Sequence, residues 1–237
     1  MLSDKSYMFS ILKENKDIIK HLPETVPYSI NACCRYLKDY GVAILKPVQG
    51  TSGTGIIKVK VGYRHFIIDT KSKRFILDKA EDLLNFLEKK INGKPYLIQE
   101  YIDRLKINNR FFDIRVILQK KDSNWKLTGW FGQLTSKTSF LSNTSAGGSI
   151  IPLEASLQNH LRELTSENII TELQHTALQI VQQLDKHFPH KHLWGLDLAI
   201  NRSGQILLIE VSSYPDLSKF KNKKLDPAML RTIKSYL

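Results

Sequence analysis

Apolar and polar positions alternate with two periods along this chain, and the switches between them mark its elements. From Asp4 to Leu22, Met8, Ile11, Leu12, Ile18, Ile19 and Leu22 recur at helical spacing, which predicts a helix with Ser3 as its cap and Pro23-Glu24-Thr25 as its end. A second helix is predicted from about Ala32 to Tyr40, capped by Ser29 and stopped by Gly41. The stretch Ala43–Val59 then predicts strand, glycine loop, strand. An apolar run delivers Lys46 and Pro47 to a loop with Gly50, Gly53 and Gly55 and hydroxyls at Thr51, Ser52 and Thr54, after which Ile57, Lys58, Val59 and Lys60 alternate again. Arg64–Asp69 and Lys73–Leu77 flank a polar turn and predict a further strand pair. Asp78 with Glu81 reads as a capping box for a helix with Leu83, Leu84, Leu87 and Ile91 on one face, ended by Gly93. Residues 1–95 therefore read as an α+β lobe.

From Pro95 the pattern becomes strand-rich. Tyr96–Ile102, Phe111–Gln119 and Trp125–Thr135 are expected to pair antiparallel. Ser136–Gly148 is a polar loop of a length that is often functional. Leu164–Phe188 carries the longest helical pattern, ended by Pro189. Leu193–Ile200 and Gln205–Val211 form a predicted hairpin around Asn201-Arg202-Ser203-Gly204, and Asp226-Pro227 starts a closing helix.

With 237 residues, 42% of them hydrophobic, the chain can bury one large core or two small ones. The 35 basic residues against 23 acidic ones give a net charge of +12, which favours an anionic partner. Cys33 and Cys34 are adjacent and lack metal-type spacing, so they read as reduced helix residues. No stretch approaches the roughly 18 apolar residues of a membrane helix and no signal-peptide pattern opens the chain, so the cytoplasm is the expected location.

Three constellations carry candidate chemistry. The glycine loop is neither a P-loop nor a dinucleotide fingerprint, because strand formers follow it where those motifs need a helix. Its glycines let backbone N–H groups close over phosphate oxygens while Lys46 supplies a point charge; the same residues also suit a tight turn with no ligand. Asp197 and Glu210 interrupt the apolar runs of the last hairpin, where each carboxylate needs either a shared cation such as Mg²⁺ or a lysine or arginine partner. Asp113 and Arg115 share one face of a strand, an arrangement that an ordinary ion pair also explains.

Together these residues resemble the ATP-grasp superfamily over most of the chain. Leu22-Pro23-Glu24-Thr25, preceded by Asp4-Lys5, is similar to the approach to its nucleotide-binding lobe, and Lys46-Pro47 with the glycine loop is similar to its phosphate loop. Gln99-Glu100-Tyr101-Ile102 resembles the hinge that holds adenine. Asp113-Ile114-Arg115 resembles the aspartate-x-arginine of ligases that add glutamate to ribosomal protein, with Asp113 on ribose and Arg115 by the phosphate or substrate. Ser142-Asn143 and Gly147-Gly148 resemble that group's substrate-side loop, and Asp197, Glu210 and Ser212 fall where the superfamily places its magnesium ligands. The HLPET, KPVQGTSGTGI and FDIRV stretches resemble the YheC/YheD-like group of spore-coat-associated ATP-grasp proteins.

The resemblance implies an α+β ATP-grasp fold, two α+β lobes with antiparallel sheets gripping ATP between them. Residues 1–95 would carry the phosphate loop and 96–237 the hinge and magnesium site, and the usual amino-terminal domain would be lacking, since almost nothing precedes Lys5. The implied activity is an ATP- and Mg²⁺-dependent carboxylate–amine or peptide ligase acting through an acyl phosphate. Lys5, Lys46, Gly50, Thr51, Ser52, Gly53 and Gly55 would lie at the phosphates, with Lys46 and Arg115 catalytic. The alternative is a catalytically weak or inactive ATP-binding structural protein, favoured by Ser212 in place of the usual asparagine and by the missing domain. The basic surplus fits an acidic peptide or protein substrate, with no membrane partner. Lys219, Lys221, Lys223 and Lys224 lack a nucleic-acid motif and read as a solvated face. A cytoplasmic, spore-associated protein is the implied setting.

Overall fold

The computed structural model describes residues 4–50, 53–136, 140, 148–158 and 166–237. They divide into two units, one of residues 4–7 and 23–102, the other of residues 8–22 and 103–237. The helix expected over 4–22 forms as two, α1 (Lys5–Lys13) and α2 (Lys16–Ile19). Asn15 makes the break. Its side chain accepts from the Asp17 N–H at 3.0 Å, so a residue with little helix preference becomes the cap of a new helix.

In the first unit, strand β1 (Thr25–Pro27) leads to helix α3 (Ile30–Tyr40), and strands β2 (Val42–Pro47), β3 (Ile57–Val61), β4 (Phe66–Thr70) and β5 (Arg74–Leu77) follow. Helix α4 (Ala80–Ile91) and strand β6 (Tyr96–Glu100) complete it. The sheet is antiparallel in the order β1-β6-β2-β3-β4-β5. Helix α3 forms as expected between its signals: the Ser29 hydroxyl accepts from Ala32 N–H at 3.1 Å and Gly41 takes φ 68°. Helix α4 differs, since Lys79 rather than Asp78 precedes it and makes no side-chain cap bond; Glu81 and Asp82 in the first turn face the helix dipole instead. Strand β6, expected beside the strands that follow it, pairs with β1 and β2. Tyr96, Leu97, Ile98 and Gln99 are all buried, so this strand is covered on both faces, as befits a strand inside the sheet rather than at its edge. Cys33, Tyr36, Leu83, Leu87 and Ile91 of the two helices share one core with Leu45, Val59, Ile68 and Ile98 of the sheet.

In the second unit, strands β7 (Lys106–Ile107), β8 (Arg110–Lys121), β9 (Asn124–Leu134) and β10 (Ser149–Ile151) precede helices α5 (Leu153–Gln158) and α6 (Ser166–His187). Strands β11 (Leu193–Ile200) and β12 (Ile206–Ser212), a 3₁₀ turn over Leu217–Lys221 and helix α7 (Pro227–Lys234) end the chain. The sheet runs β10-β9-β8-β11-β12, with β7 also on β8. Strand alternation divides β8 cleanly. Phe112, Ile114 and Val116 enter the core with Leu173, Ala177, Ile180 and Leu184 of α6, while Ile117 joins Phe131, Phe220 and Ile233 in a separate cluster. Asp113 and Arg115 share the parity of Ile117, so their face is the one that the 3₁₀ turn and α7 partly cover.

His21, after α2, is sealed inside this second unit. Its Nδ1 lies 2.8 Å from the Ile206 carbonyl, which fixes the proton there and leaves Nε2 toward the Thr176 hydroxyl at 3.4 Å. Burial holds its pKa below 6.5 against the pull of the Ile206 carbonyl, with Lys20 adding to the depression. The unfolded chain therefore binds more protons between the two pKa values, and the stability is complete above about pH 6.5 and lost as pH falls. Urea midpoints measured from pH 7.5 to 5.5 are expected to decline, and the decline is expected to flatten in His21→Gln.

Candidate functional site

In the first unit Lys46 ends the buried part of β2, opposite Leu97 of β6, and is 8% exposed. The chain then enters the glycine loop at an anchored point, because Lys5 donates its backbone N–H to Val48 O at 3.2 Å and its ammonium to Gly50 O at 2.7 Å. Gly53 and Gly55 take φ 70° and 79°, the left-handed region that glycine reaches without strain. Gly55 is needed for space as well: a Cβ there would stand 3.0 Å from the Tyr96 hydroxyl and 3.2 Å from Pro47 Cγ. That hydroxyl donates to Gly55 O at 3.0 Å, so the far end of the loop is tied to β6. Thr51 and Ser52 lie outside the described residues.

Gln99 is 2% exposed and its Nε2 donates to Thr25 Oγ1 at 2.9 Å, while that hydroxyl donates to Pro23 O at 2.9 Å. The side chain thus locks β6 to β1. Glu100 continues the lock: its N–H donates to Glu24 O at 2.8 Å and its Oε2 accepts from Glu24 N–H at 3.2 Å. Glu24 in turn accepts from Arg35 at 2.8 Å and from the Tyr40 hydroxyl at 2.6 Å, and these two bonds hold its carboxyl below the usual range. The same carboxylate, with some burial, pushes the Tyr40 phenol up to about 12. Tyr101 lies under the Lys58 ammonium at 4.7 Å, and Ile102 is buried.

In the second unit Asp113 is 1% exposed, and Arg104 Nη1 donates to both its oxygens at 2.9 and 2.6 Å. Arg104 also donates to Phe140 O at 2.6 Å and covers the Phe111 ring. Arg115 forms a two-pronged pair with Asp197, Nε to Oδ1 at 2.7 Å and Nη2 to Oδ2 at 2.8 Å, and Gln133 adds a third bond to Oδ1 at 3.3 Å. Burial alone lowers the Arg115 pKa, but Asp197, Glu210 and Asp216 outweigh it and the guanidinium is held charged. Glu210 reaches this face through an irregularity. Ile206 and Leu208 are core residues, and strict alternation would send Glu210 in with them; instead the register shifts so that Leu198 pairs with Leu208 but Asp197 pairs with Glu210. One extra residue, Ile209, turns Glu210 to the side of Asp197, and Ser212 follows it there opposite Gly195.

Asp197, Glu210 and Ser212 offer two carboxylates and a hydroxyl, the hard oxygen donors that Mg²⁺ takes. Each Asp197 oxygen has lone-pair capacity beyond its bond to Arg115. No group of three or more His, Cys, Asp or Glu able to hold a metal occurs among the described residues. Asn143 and Gly147 lie outside the described residues, and Gly148 directly precedes β10.

Sequence reasoning overlooked Arg104, Gly195 and Lys219. A Cβ at Gly195 would lie 2.7 Å from Pro215 Cβ and 3.3 Å from Arg115 Nη1, so its absence makes room for both; a glycine inside an apolar strand was the available signal. Lys219 departs from the solvated face expected of its cluster: Lys221, Lys223 and Lys224 are exposed, whereas Lys219 is half-buried. Burial, then Arg115, lowers its pKa, against Asp197 and Asp216. Lys191 donates to Ser213 O at 2.7 Å and sits 3.8 Å over the Tyr214 ring, holding the segment after β12 in place.

Residues 1–237 match the profile of the family described as YheC/D like ATP-grasp. The endospore coat-associated protein YheC of Bacillus subtilis (strain 168) is 22% identical over 222 residues, 90% of this chain and 60% of that protein. YheD of the same organism is 25% identical over 208 residues, 81% of this chain and 43% of that protein. The chain thus spans roughly half the length of these curated relatives. Among solved structures, the L-amino acid ligase from Bacillus licheniformis superposes with a TM-score of 0.58 at 15% identity, covering 99% of this chain and 47% of that one. The N5-carboxyaminoimidazole synthetase from Staphylococcus aureus, complexed with ADP, gives 0.55 at 11% identity, covering 92% and 46%. The fold is ATP-grasp, with the expected α+β class and antiparallel sheets.

Proposed function

Because the chain belongs to the YheC/D-like ATP-grasp family, we propose that it binds ATP with Mg²⁺ and uses it to join a carboxylate to an amine through an acyl phosphate. The observation that carries this reading is the register shift that sets Glu210 and Ser212 beside the Arg115–Asp197 pair. A fold that merely needed a packed strand has no use for two carboxylates turned out of its core at one point. The ADP held by the S. aureus synthetase and the ligase activity in the B. licheniformis protein's name support the same chemistry.

In this reading Lys5 and Lys46 neutralise phosphate charge, and the backbone N–H groups of Gly50, Gly53 and Gly55 take the phosphates, a role that the family resemblance extends to Thr51 and Ser52. The Gln99–Ile102 segment holds adenine chiefly by backbone, since the Gln99 and Glu100 side chains are engaged with Thr25 and Glu24. Asp113 serves the nucleotide through Arg104, which it clamps. Arg115 stabilises the transferred group. Asp197, Glu210 and Ser212 would hold Mg²⁺, which when bound offsets phosphate charge. Asn143, Gly147 and Gly148 are assigned to the substrate side on the family resemblance alone, and the net charge of +12 favours an acidic peptide or protein as substrate. No helix among the described residues is long and apolar enough to cross a membrane, and the coat-associated relatives favour action at the spore.

A second reading, an ATP-binding coat or scaffold protein without turnover, is favoured by Ser212 and by the hold of Arg115 on both Asp197 oxygens. Hydroxylamine offered with ATP, Mg²⁺ and a panel of carboxylic acids, glutamate-rich peptides included, decides between them. Hydroxamate is expected from the wild-type protein and absent from Glu210→Gln, which should still bind ADP. ADP binding without hydroxamate from the wild type would establish the scaffold reading instead.

A further inference from the structure

We propose that Lys219 is a further phosphoryl-binding residue, which together with Arg115 takes the γ-phosphoryl group of ATP on the second unit. The proposal rests on the nucleotide reading above. The 3₁₀ turn that carries Lys219 is pinned to the sheet at two points and capped at its start. Phe220 packs edge-on against Phe131 at 5.0 Å, and Phe131 is the β9 residue directly opposite Arg115. Pro215 sits against Gly195, where a Cβ would also meet Arg115. Asp216 caps the turn, accepting from the Ser218 N–H at 3.0 Å and hydroxyl at 2.6 Å. Lys219 therefore rises from a fixed base beside the Arg115–Asp197 pair.

Its ammonium is half-buried and has no hydrogen-bond or ion-pair partner among the described residues. The nearby acids are engaged elsewhere, Asp216 with Ser218 and Asp197 with Arg115 and Gln133. The three lysines that follow stand in solvent, so only this one is drawn inward. Asp197 and Asp216 attract both cations, but neither carboxylate bonds the partly desolvated ammonium, so it has donors left for a further anion shared with the guanidinium. That anion has to offer several oxygens, because Arg115 already faces Asp197 on one side. The terminal phosphoryl group has three, and ADP lacks it. During transfer a substrate carboxylate oxygen forms a bond to the γ-phosphorus while the bond from that phosphorus to the bridging oxygen breaks, and ADP leaves with the electron pair. No proton moves, so Lys219 remains charged throughout and acts electrostatically.

Calorimetric titration with ADP and with its non-hydrolysable triphosphate counterpart, adenylyl imidodiphosphate, both with Mg²⁺, tests this. Lys219→Met keeps the apolar stem and is expected to weaken the triphosphate about tenfold while leaving ADP within about twofold. Lys219→Arg is expected to keep most of the selectivity, which a purely packing role for the stem would not predict. Equal losses for both nucleotides, or unchanged triphosphate affinity, would overturn the assignment, the latter outcome pointing to the substrate carboxylate as the anion. A wild-type protein that binds neither nucleotide removes the nucleotide reading itself, and this proposal with it.

Discussion

Lys46→Ala is expected to abolish ATP binding in a calorimetric titration, weakening it by at least about a hundredfold, or about 2.7 kcal/mol. Lys46 is placed by the sheet rather than by the loop. Ala43 and Leu45 before it are fully buried, β3 and β6 pair on either edge of β2, and the residue itself is 8% exposed. A lysine whose backbone is held this firmly where the chain enters the glycine loop presents its positive charge at a defined place for a polyphosphate. Lys46→Met separates this role from packing, because it keeps the buried stem and removes only the charge. The Met variant is expected to fold normally and to lose ATP affinity to the same degree; retained affinity would put the phosphates elsewhere.

The largest effect on stability is expected from Asp113→Ala. With its carboxylate gone, the Arg104 guanidinium is left with the Phe140 carbonyl and the Phe111 ring, and no counter-charge, in a site where both side chains of the pair are almost wholly out of water. Breaking a buried pair from one side in this way costs about 3–5 kcal/mol, against a total stability of about 5–15 kcal/mol for an ordinary domain. Urea denaturation reads the change directly. The double variant Arg104→Met with Asp113→Leu is expected to recover much of the loss, since it removes both charges at once and leaves an apolar contact. A single variant within about 1 kcal/mol of wild type would mean that water reaches the pair.

How much of this was visible in the chain depended on how local each signal was. Helix α3 was legible because Ser29 and Gly41 sit at its ends and act within one turn. Strands β2 and β3 were legible because the glycines between them leave an antiparallel neighbour as the simplest partner. The placement of β6 was not, since its partner β1 is only Thr25–Pro27, contains a proline and shows no strand pattern. The break between α1 and α2 lay hidden in Asn15, a residue that suits a helix interior poorly and a cap well.

The candidate site follows the same division. Asp113, Arg115, Asp197 and Glu210 stood out as charges in apolar surroundings, yet the partners of Asp113 and Arg115 could not be read, because Asp197 is far from Arg115 along the chain and Arg104, though close to Asp113 in sequence, lies outside the strand that carries it. Alternation along Ile206, Leu208 and Glu210 pointed the wrong way. The extra residue at Ile209 reverses the face, and nothing in Ile206–Val211 announces it. Lys219 was grouped with its neighbours in sequence although the fold separates it from them.

Gly195 has a consequence for how this cluster is governed. The space that admits Arg115 and Pro215 exists because one residue of β11 has no side chain. A single methyl group there crowds the guanidinium and the proline together, and the proline leads into the turn that carries Lys219. The reach of Arg115 to Asp197, two residues along the same strand, is thus set in part by steric room: a residue with no side chain decides whether the guanidinium has space to lie there.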